Sequence, residues 1–371
     1  MMNKPEKDVP AKWKIGWGYT SACNMNCPFC YSKTVRHRPE EVDLDTANRF
    51  MDSNHRFIRS INYGTGECPL SMNWFKFIKG IRQKYPGIEQ ALTTNGSIYS
   101  IVEGSREKGE IFSEAIDEVD VSLDFADPHK HNKTRGHQQA YEGVINTLEL
   151  CAMQKKITTI VFVAYEESLH GENIGALFQL AASYNAFVRV NILRPTPGIY
   201  FTPPSYRTLF TAMRRILEKY KVVSLCDPLF GSLFDYANAA PDASGVTSLR
   251  ILPDGSITPS TYLVTEDWRS ANLKSGVCLS QVGLFPSFKK LTRGTNIPEE
   301  CSGCPLADTC RGGAVDRRIL HYNTLSARDP FCPKRNGDDL PAGNSPVYYS
   351  PEKGAAPLAH DGYLPTLIFA P

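Results

Sequence analysis

Three cysteines stand close together near the start of the chain, in Cys23-Asn24-Met25-Asn26-Cys27-Pro28-Phe29-Cys30. The spacing is Cys-x3-Cys-x2-Cys. Three thiolates this close can hold three corners of a [4Fe–4S] cluster and leave the fourth iron without a protein ligand. An open iron can bind a substrate or a cofactor, which a fully ligated cluster cannot. Two other chemistries use clustered cysteines. Zinc prefers four ligands in paired Cys-x-x-Cys elements, and this stretch holds one such pair. Disulfides need an oxidising compartment, and the opening Met-Met-Asn-Lys-Pro-Glu-Lys-Asp is too polar for a signal peptide.

Further along comes Tyr63-Gly64-Thr65-Gly66-Glu67-Cys68-Pro69. Glycines here let the backbone approach a ligand closely, and the carboxylate beside them can accept from an ammonium group. A second cysteine set, Cys301-x2-Cys304-x5-Cys310 with Cys332, offers four thiolates. Four complete a closed [4Fe–4S] site; they would also suit a structural zinc. Of the remaining cysteines, Cys151 falls in a helical stretch and reads as core packing. Cys68 adjoins Glu67 at a strand end, where a thiol can quench a substrate radical, although a structural role is the stronger reading.

The elements that must position these groups alternate between strand and helix from about residue 13 to 195, the pattern of parallel β/α units. Lys14–Tyr19 reads as a first strand leading into the cysteine loop. Leu44–Phe57 reads as a helix with Asp43 as its cap, and Ile58–Tyr63 as the second strand. Trp74, Phe77, Ile78 and Ile81 recur at helical spacing, so Met72–Tyr85 is an amphipathic helix. Glu89–Thr94, Glu118–Leu123, Thr158–Ala164 and Phe187–Leu193 are further strands, with helices near 98–108, 137–153 and 172–184. These are six repeats, too few for a closed eight-unit barrel. In β/α barrels the chemistry sits at the C-terminal strand ends, where each motif falls.

Residues 201–244 read as a connector with a helix at 204–220. A cysteine-rich region follows over 245–335. It opens with a hairpin: Ser248–Leu252, the turn Pro253-Asp254-Gly255, then Ser256–Thr261. Residues 336–371, rich in proline and glycine, read as an extended tail. Its Tyr363–Phe369 stretch is apolar enough to dock on the barrel or on a partner.

Composition sets outer bounds. The chain has 371 residues, 42% hydrophobic and 22% charged, with a net charge of +2. That leaves no broad basic surface for nucleic acid. No apolar run reaches the length of a membrane span. Eleven cysteines without a secretion signal point to metal or redox chemistry in the cytoplasm.

With Phe29 before the third cysteine, the triplet resembles the signature of the radical S-adenosylmethionine (radical SAM) enzymes. The resemblance implies a partial (β/α)6 barrel over 1–200. It also implies a [4Fe–4S] cluster on Cys23, Cys27 and Cys30, whose open iron chelates S-adenosylmethionine. One electron then yields methionine and a 5'-deoxyadenosyl radical that abstracts a hydrogen atom from substrate. Gly66-Glu67 matches the end of the family's Gly-Gly-Glu motif, which meets the cofactor's amino group; Gly64-Thr65 departs from it. Thr93-Thr94-Asn95-Gly96 resembles the Thr-Asn-Gly turn. Ser122-Leu123-Asp124 followed by Arg135-Gly136 resembles the family's Ser-Leu-Asp and Arg-Gly pair. Ser122 and Arg135 would hold the cofactor's ribose or carboxylate, and Asn191 at the end of the sixth strand its adenosyl part.

The second cysteine set resembles the SPASM domain of peptide- and protein-modifying members of this family. A full SPASM domain carries seven cysteines and two clusters. Here Ser260 and Ala314 stand where the pattern expects cysteine, and Cys278 is out of register. The four retained, Cys301, Cys304, Cys310 and Cys332, imply one auxiliary [4Fe–4S] cluster. By analogy the substrate is a ribosomally made precursor peptide. No leader-binding domain precedes the triplet, so a separate leader-recognition protein is expected, along with an electron donor such as flavodoxin or ferredoxin. The Gly-Thr-Gly-Glu variant is loosely similar to the spliceases, which excise tyramine and leave an α-keto-β-amino acid. Two alternatives are a radical SAM enzyme acting on a small molecule, such as an antibiotic sugar, and a zinc-braced binding module without catalysis.

Overall fold

A computed structural model describes residues 13–36, 40–293, 297–341, 346–350, 356–357 and 359–371. Its strands are β1 (Trp13–Trp17), β2 (Ile58–Tyr63), β3 (Glu89–Thr94), β4 (Glu118–Ser122), β5 (Ile157–Ala164), β6 (Phe187–Ile192), β7 (Lys221–Leu225), β8 (Ser248–Ile251), β9 (Ser256–Thr258), β10 (Ala271–Asn272) and β11 (Leu367–Ala370). They form one sheet in the order β10-β9-β8-β1-β2-β3-β4-β5-β6-β11-β7. Strands β1 to β6 are parallel neighbours in sequence order, with helices between them. This is the α/β partial barrel expected, open rather than closed.

Alternation along the strands divides the molecule into two environments. Ile15 and Trp17 of β1, Ile61 and Tyr63 of β2, Val119 and Val121 of β4, and Val188, Val190 and Ile192 of β6 enter the main apolar core. The alternate positions are buried too, but polar: Ser60, Asn62, Glu118, Asp120 and Arg189. Buried polar groups need partners, so the inner face is built to contact something other than a hydrocarbon core.

Helix boundaries follow local chemistry. Asp43 caps Leu44–Asn54 by accepting the Thr46 N–H at 2.8 Å, and Ser71 caps Met72–Lys84 through the Trp74 N–H at 3.2 Å. The helix expected near 98–108 is two, Ile98–Glu103 and Arg106–Ala115, because Ser105 starts a new cap. A helix not read from the sequence, Pro128–Arg135, is opened by Asp127 and closed at Gly136. It is short and polar, so no apolar periodicity announces it.

The hairpin β8–β9 forms as expected and is antiparallel. Strand β8 also pairs in parallel with β1, which fuses the cysteine-rich region to the barrel sheet. The largest departure is the closing segment. Residues Leu367–Ala370 are not an extended tail: they form β11, inserted antiparallel between β6 and β7. Leu367 and Phe369 pack into the main core, and Ile368 packs beside Phe187. An apolar segment that completes hydrogen bonding along two strand edges is held far more firmly than its proline and glycine content suggests.

Candidate active site

The C-terminal ends of β1 to β6 converge on one cavity. It is lined by Cys23, Cys27, Phe29, Cys30, Gly66, Glu67, Asn95, Ser122, Arg135 and Asn191. Every predicted residue of the barrel site is therefore brought to one place except Cys68. That thiol is fully buried in the main apolar core behind the Glu67 turn and does not line the cavity. Burial pushes it up to about 12. Apolar packing, not substrate contact, accounts for it.

The three thiols sit in a loop folded by local hydrogen bonds, with the Cys30 N–H donating to the Cys27 carbonyl at 3.2 Å. Arg36 straps this loop. Its guanidinium donates to the Ser21 and Met25 carbonyls at 3.2 and 3.0 Å and approaches Cys30 Sγ at 3.4 Å. Asn95 Nδ2 lies 3.7 Å from Cys23 Sγ, and an Arg135 guanidinium nitrogen 3.9 Å from Cys27 Sγ. Each sulfur thus faces an N–H donor. Burial pushes Cys23 up to about 11, although Arg36 opposes the shift. Burial thus favours the neutral thiol at Cys23 and Cys27, while the neighbouring guanidinium groups favour thiolates that bind metal.

Glu67 is 1% exposed. Its carboxylate accepts the Asn95 N–H at 3.0 Å and the Thr94 hydroxyl, and burial pushes it up to about 7. The turn that presents it needs Gly66, whose φ is +65°. A Cβ there would run into the carbonyl oxygens of Thr20 and Ala22. The Glu67 N–H then donates to the Ala22 carbonyl at 2.7 Å, which ties this turn to the cysteine loop.

Arg135 is buried beside Asp124, 2.7 Å from its carboxylate, and its guanidinium lies 5.2 Å over the Phe29 ring. Burial opposes the charge on Arg135, but Asp124 and Cys27 outweigh it and hold it protonated. Asp124 is placed in turn by the Val163 N–H at 2.9 Å, and its own N–H donates to His131 Nδ1 at 3.2 Å. Arg135 Nε and one terminal nitrogen of Arg194 are buried without a hydrogen-bond partner. Both side chains line the cavity. Unpartnered guanidinium N–H groups, a carboxylate for an ammonium group and three thiols form a donor set that suits an iron–sulfur cluster and a zwitterionic amino-acid ligand.

Arg194, read with Asn191 as closing the sixth strand, lines the cavity too; the sequence reading missed Arg36, Arg189, Arg250, Tyr262, His360 and Tyr363, which also line it. Arg189 had a signal: a charged residue at an inward position between Val188 and Val190. Tyr363 had a partial one, the apolar Tyr363–Phe369 stretch expected to dock on the barrel or on a partner; His360 had none, because nothing local places it in the barrel.

The second cysteine set also converges. Cys301, Cys304, Cys310 and Cys332 line one small cavity with Leu229, Leu233 and Arg328. The Cys304 N–H donates to the Cys301 carbonyl at 3.0 Å, and the Cys332 N–H to the Asp329 carbonyl at 3.0 Å. Among the described residues no group of three His, Cys, Asp or Glu side chains is spaced to hold a single metal ion. Asp329 also accepts the Ala314 N–H at 3.0 Å and pairs with Arg317, which reaches Asp227 on the other side.

The comparisons with known proteins agree with this geometry. Residues 17–175 match the radical SAM superfamily model. The chain is 22% identical over 343 residues to the mycofactocin maturase MftC of Mycolicibacterium smegmatis, covering 88% of this chain and 84% of that protein. Its fold is similar to that of anSMEcpe solved with bound AdoMet, with a TM-score of 0.71 at 15% identity, covering 88% of this chain and 91% of that one. It is also similar to Streptococcus suis SuiB bound to the precursor peptide SuiA, with a TM-score of 0.67 at 16% identity, covering 87% and 76%. The superfamily works with a [4Fe–4S] cluster and S-adenosylmethionine. The thiol triplet, the glutamate turn and the family match together identify residues 17–175 as a radical SAM domain, and the chain as a radical SAM enzyme.

Proposed function

We propose that this enzyme modifies a ribosomally made precursor peptide. The observation that carries the reading is the single cavity onto which Cys23, Cys27, Cys30, Glu67 and Arg135 all open. The reading is supported by the similarity to a maturase along most of both chains and by a fold shared with an enzyme captured on its precursor peptide.

In this reading Cys23, Cys27 and Cys30 hold the cluster, and the loaded site supplies hydrogen-atom abstraction by a carbon radical. The chain's residues bind and orient. Glu67 and Asn95 take the cofactor's ammonium group, and Arg135 with Ser122 its carboxylate or ribose. Asn191 meets the adenosyl part, and Phe29 supports Arg135 from below the ring. Cys301, Cys304, Cys310 and Cys332 hold an auxiliary [4Fe–4S] cluster, a site that four thiolates complete. All eleven cysteines are free, which suits a reducing, cytoplasmic setting. No helix among the described residues is long and apolar enough to cross a membrane. A small electron-transfer protein such as flavodoxin or ferredoxin would supply the electron, and a separate recognition protein would present the peptide's leader.

The test is anaerobic reconstitution, reduction with S-adenosylmethionine, and mass spectrometry of a precursor peptide encoded beside the gene. 5'-Deoxyadenosine with a peptide mass change supports the reading. 5'-Deoxyadenosine with an unchanged peptide, but a turned-over small molecule, moves the substrate to the other class. Colourless protein holding only zinc ends the cluster assignment.

A further inference from the structure

Just before β11, residues Ala359–Leu364 cross the polar inner face of the barrel. The Ala359 carbonyl accepts from Asn62 Nδ2 at 3.0 Å and Ser60 Oγ at 3.4 Å, both from β2. The Ala359 and His360 N–H groups donate to the Glu118 carboxylate on β4 at 2.8 and 3.4 Å. The His360 ring sits between Glu118 at 3.3 Å and Asp120 at 3.1 Å. Lys14 of β1 donates to the Asp361 carbonyl. This segment supplies further partners to the buried polar face, beside the Asp120–Arg189 ion pair, and its His360, Tyr363 and Leu364 line the cavity that holds the three thiols.

Tyr363 does more than fill space. Its hydroxyl receives an Arg250 N–H at 3.0 Å and shares a hydrogen bond with Thr261 Oγ1 at 2.6 Å. Arg250, 2% exposed, also donates to the Gly64 carbonyl and to Thr65 Oγ1. Tyr31 donates to the same Gly64 carbonyl at 2.5 Å. The hydrogen-bond partners of Arg250 are neutral oxygens, so hydrogen bonds alone aim its guanidinium. The chain from Tyr363 through Arg250 therefore ends on the turn that carries Glu67. Gly16 of β1 makes the room: a Cβ there would fall on the Tyr363 hydroxyl.

We propose that Ala359–Leu364 belongs to the cofactor site: it closes the inner end of the cavity, and Tyr363, acting through Arg250, is a positioning residue for the Gly64–Glu67 turn. This rests on the reading of Glu67 as the contact for the cofactor's ammonium group. Removing one acceptor from a buried guanidinium leaves an N–H unpaired and lets the turn it holds relax.

The test compares the wild-type chain with Tyr363→Phe, Gly16→Ala, Arg250→Lys and the Tyr363→Phe/Arg250→Lys double variant. Backbone amide exchange is read on residues 63–68, and S-adenosylmethionine affinity on the reconstituted protein. Tyr363→Phe should speed exchange in this stretch about fivefold and weaken the cofactor three- to tenfold, with iron content unchanged; both magnitudes are on the order of one lost hydrogen bond. Gly16→Ala should give the same local pattern, and the double variant should be no worse than Arg250→Lys alone. Wild-type exchange and affinity in Tyr363→Phe would overturn the proposal. So would faster exchange spread evenly over β1 to β6, the mark of a segment that only holds the sheet together. Exchange is read whether or not the chain acts on a peptide, so failure of the substrate reading leaves this result intact.

Discussion

The Arg135 guanidinium stands 3.9 Å from the sulfur of Cys27, although 108 residues separate them in sequence. Asp124 holds that guanidinium from the other side at 2.7 Å. One cation thus serves a thiol, a fully buried carboxylate and the cavity at once.

Losing it has two separable effects. Arg135→Gln leaves Asp124 buried without its partner, at a cost of about 3–5 kcal/mol. The double variant with Asp124→Asn removes the stranded charge and should recover most of the stability. It should not recover S-adenosylmethionine binding, which needs the cation itself. Thermal melts set beside binding titrations separate the two.

Glu67 predicts a pH dependence. Burial pushes its carboxyl up to about 7 from an ordinary 4.5. The folded, cofactor-free protein therefore holds this proton more tightly than the unfolded chain, and its contribution to stability declines as pH rises from about 4.5 to about 7. The cofactor's ammonium group needs the ionised form. Its affinity should weaken by roughly tenfold per pH unit below the Glu67 value and level off above it. Glu67→Gln should bind weakly with a flat profile. Titrations at a series of pH values on reconstituted protein read both.

Arg317 joins the cysteine-rich region to the connector that follows the barrel. It is wholly buried between Asp227, at the start of the helix Pro228–Phe234, and Asp329, 2.7 Å away beside Cys332. Arg317→Ala strands two buried carboxylates and should cost at least about 3 kcal/mol. Because Asp329 also fixes the backbone at Ala314 and Phe331, the same variant should retain less iron at the second site.

Iron counts test the two cysteine sets independently. Wild-type protein should reconstitute with about eight irons per chain, two [4Fe–4S] clusters. Replacing Cys23, Cys27 and Cys30 by alanine, or Cys301, Cys304, Cys310 and Cys332 by alanine, should each leave about four. The first set should also lose 5'-deoxyadenosine formation entirely. An equal iron count in the first variant and wild type would refute the assignment of the triplet.

The barrel was legible because its signals are local. The apolar alternation of β1 to β6, the caps at Asp43 and Ser71, and the motifs at strand ends need only neighbouring residues to be recognised. The cysteine spacings are local in the same sense, which is why the thiols of each set appear together in one cavity. At Cys68 the structural reading holds and the radical-quenching one does not: adjacency to Glu67 in sequence says nothing about direction, and the turn at Cys68–Leu70 points its thiol into the core.

Sequence alone determined which groups can do chemistry here, and that parallel strands would carry them to a common edge, since side-chain type and short-range periodicity are written in consecutive residues. Tertiary structure decided how the inner face is satisfied. The polar positions Ser60, Asn62 and Glu118 have no local partner, and a segment some 240 to 300 residues away, Ala359 with His360, supplies one; Asp120 is met by Arg189 of β6 as well as by His360. Such pairing depends on the free energy of the whole fold: burying a polar strand face is favourable only when another part of the chain arrives to complete its hydrogen bonds.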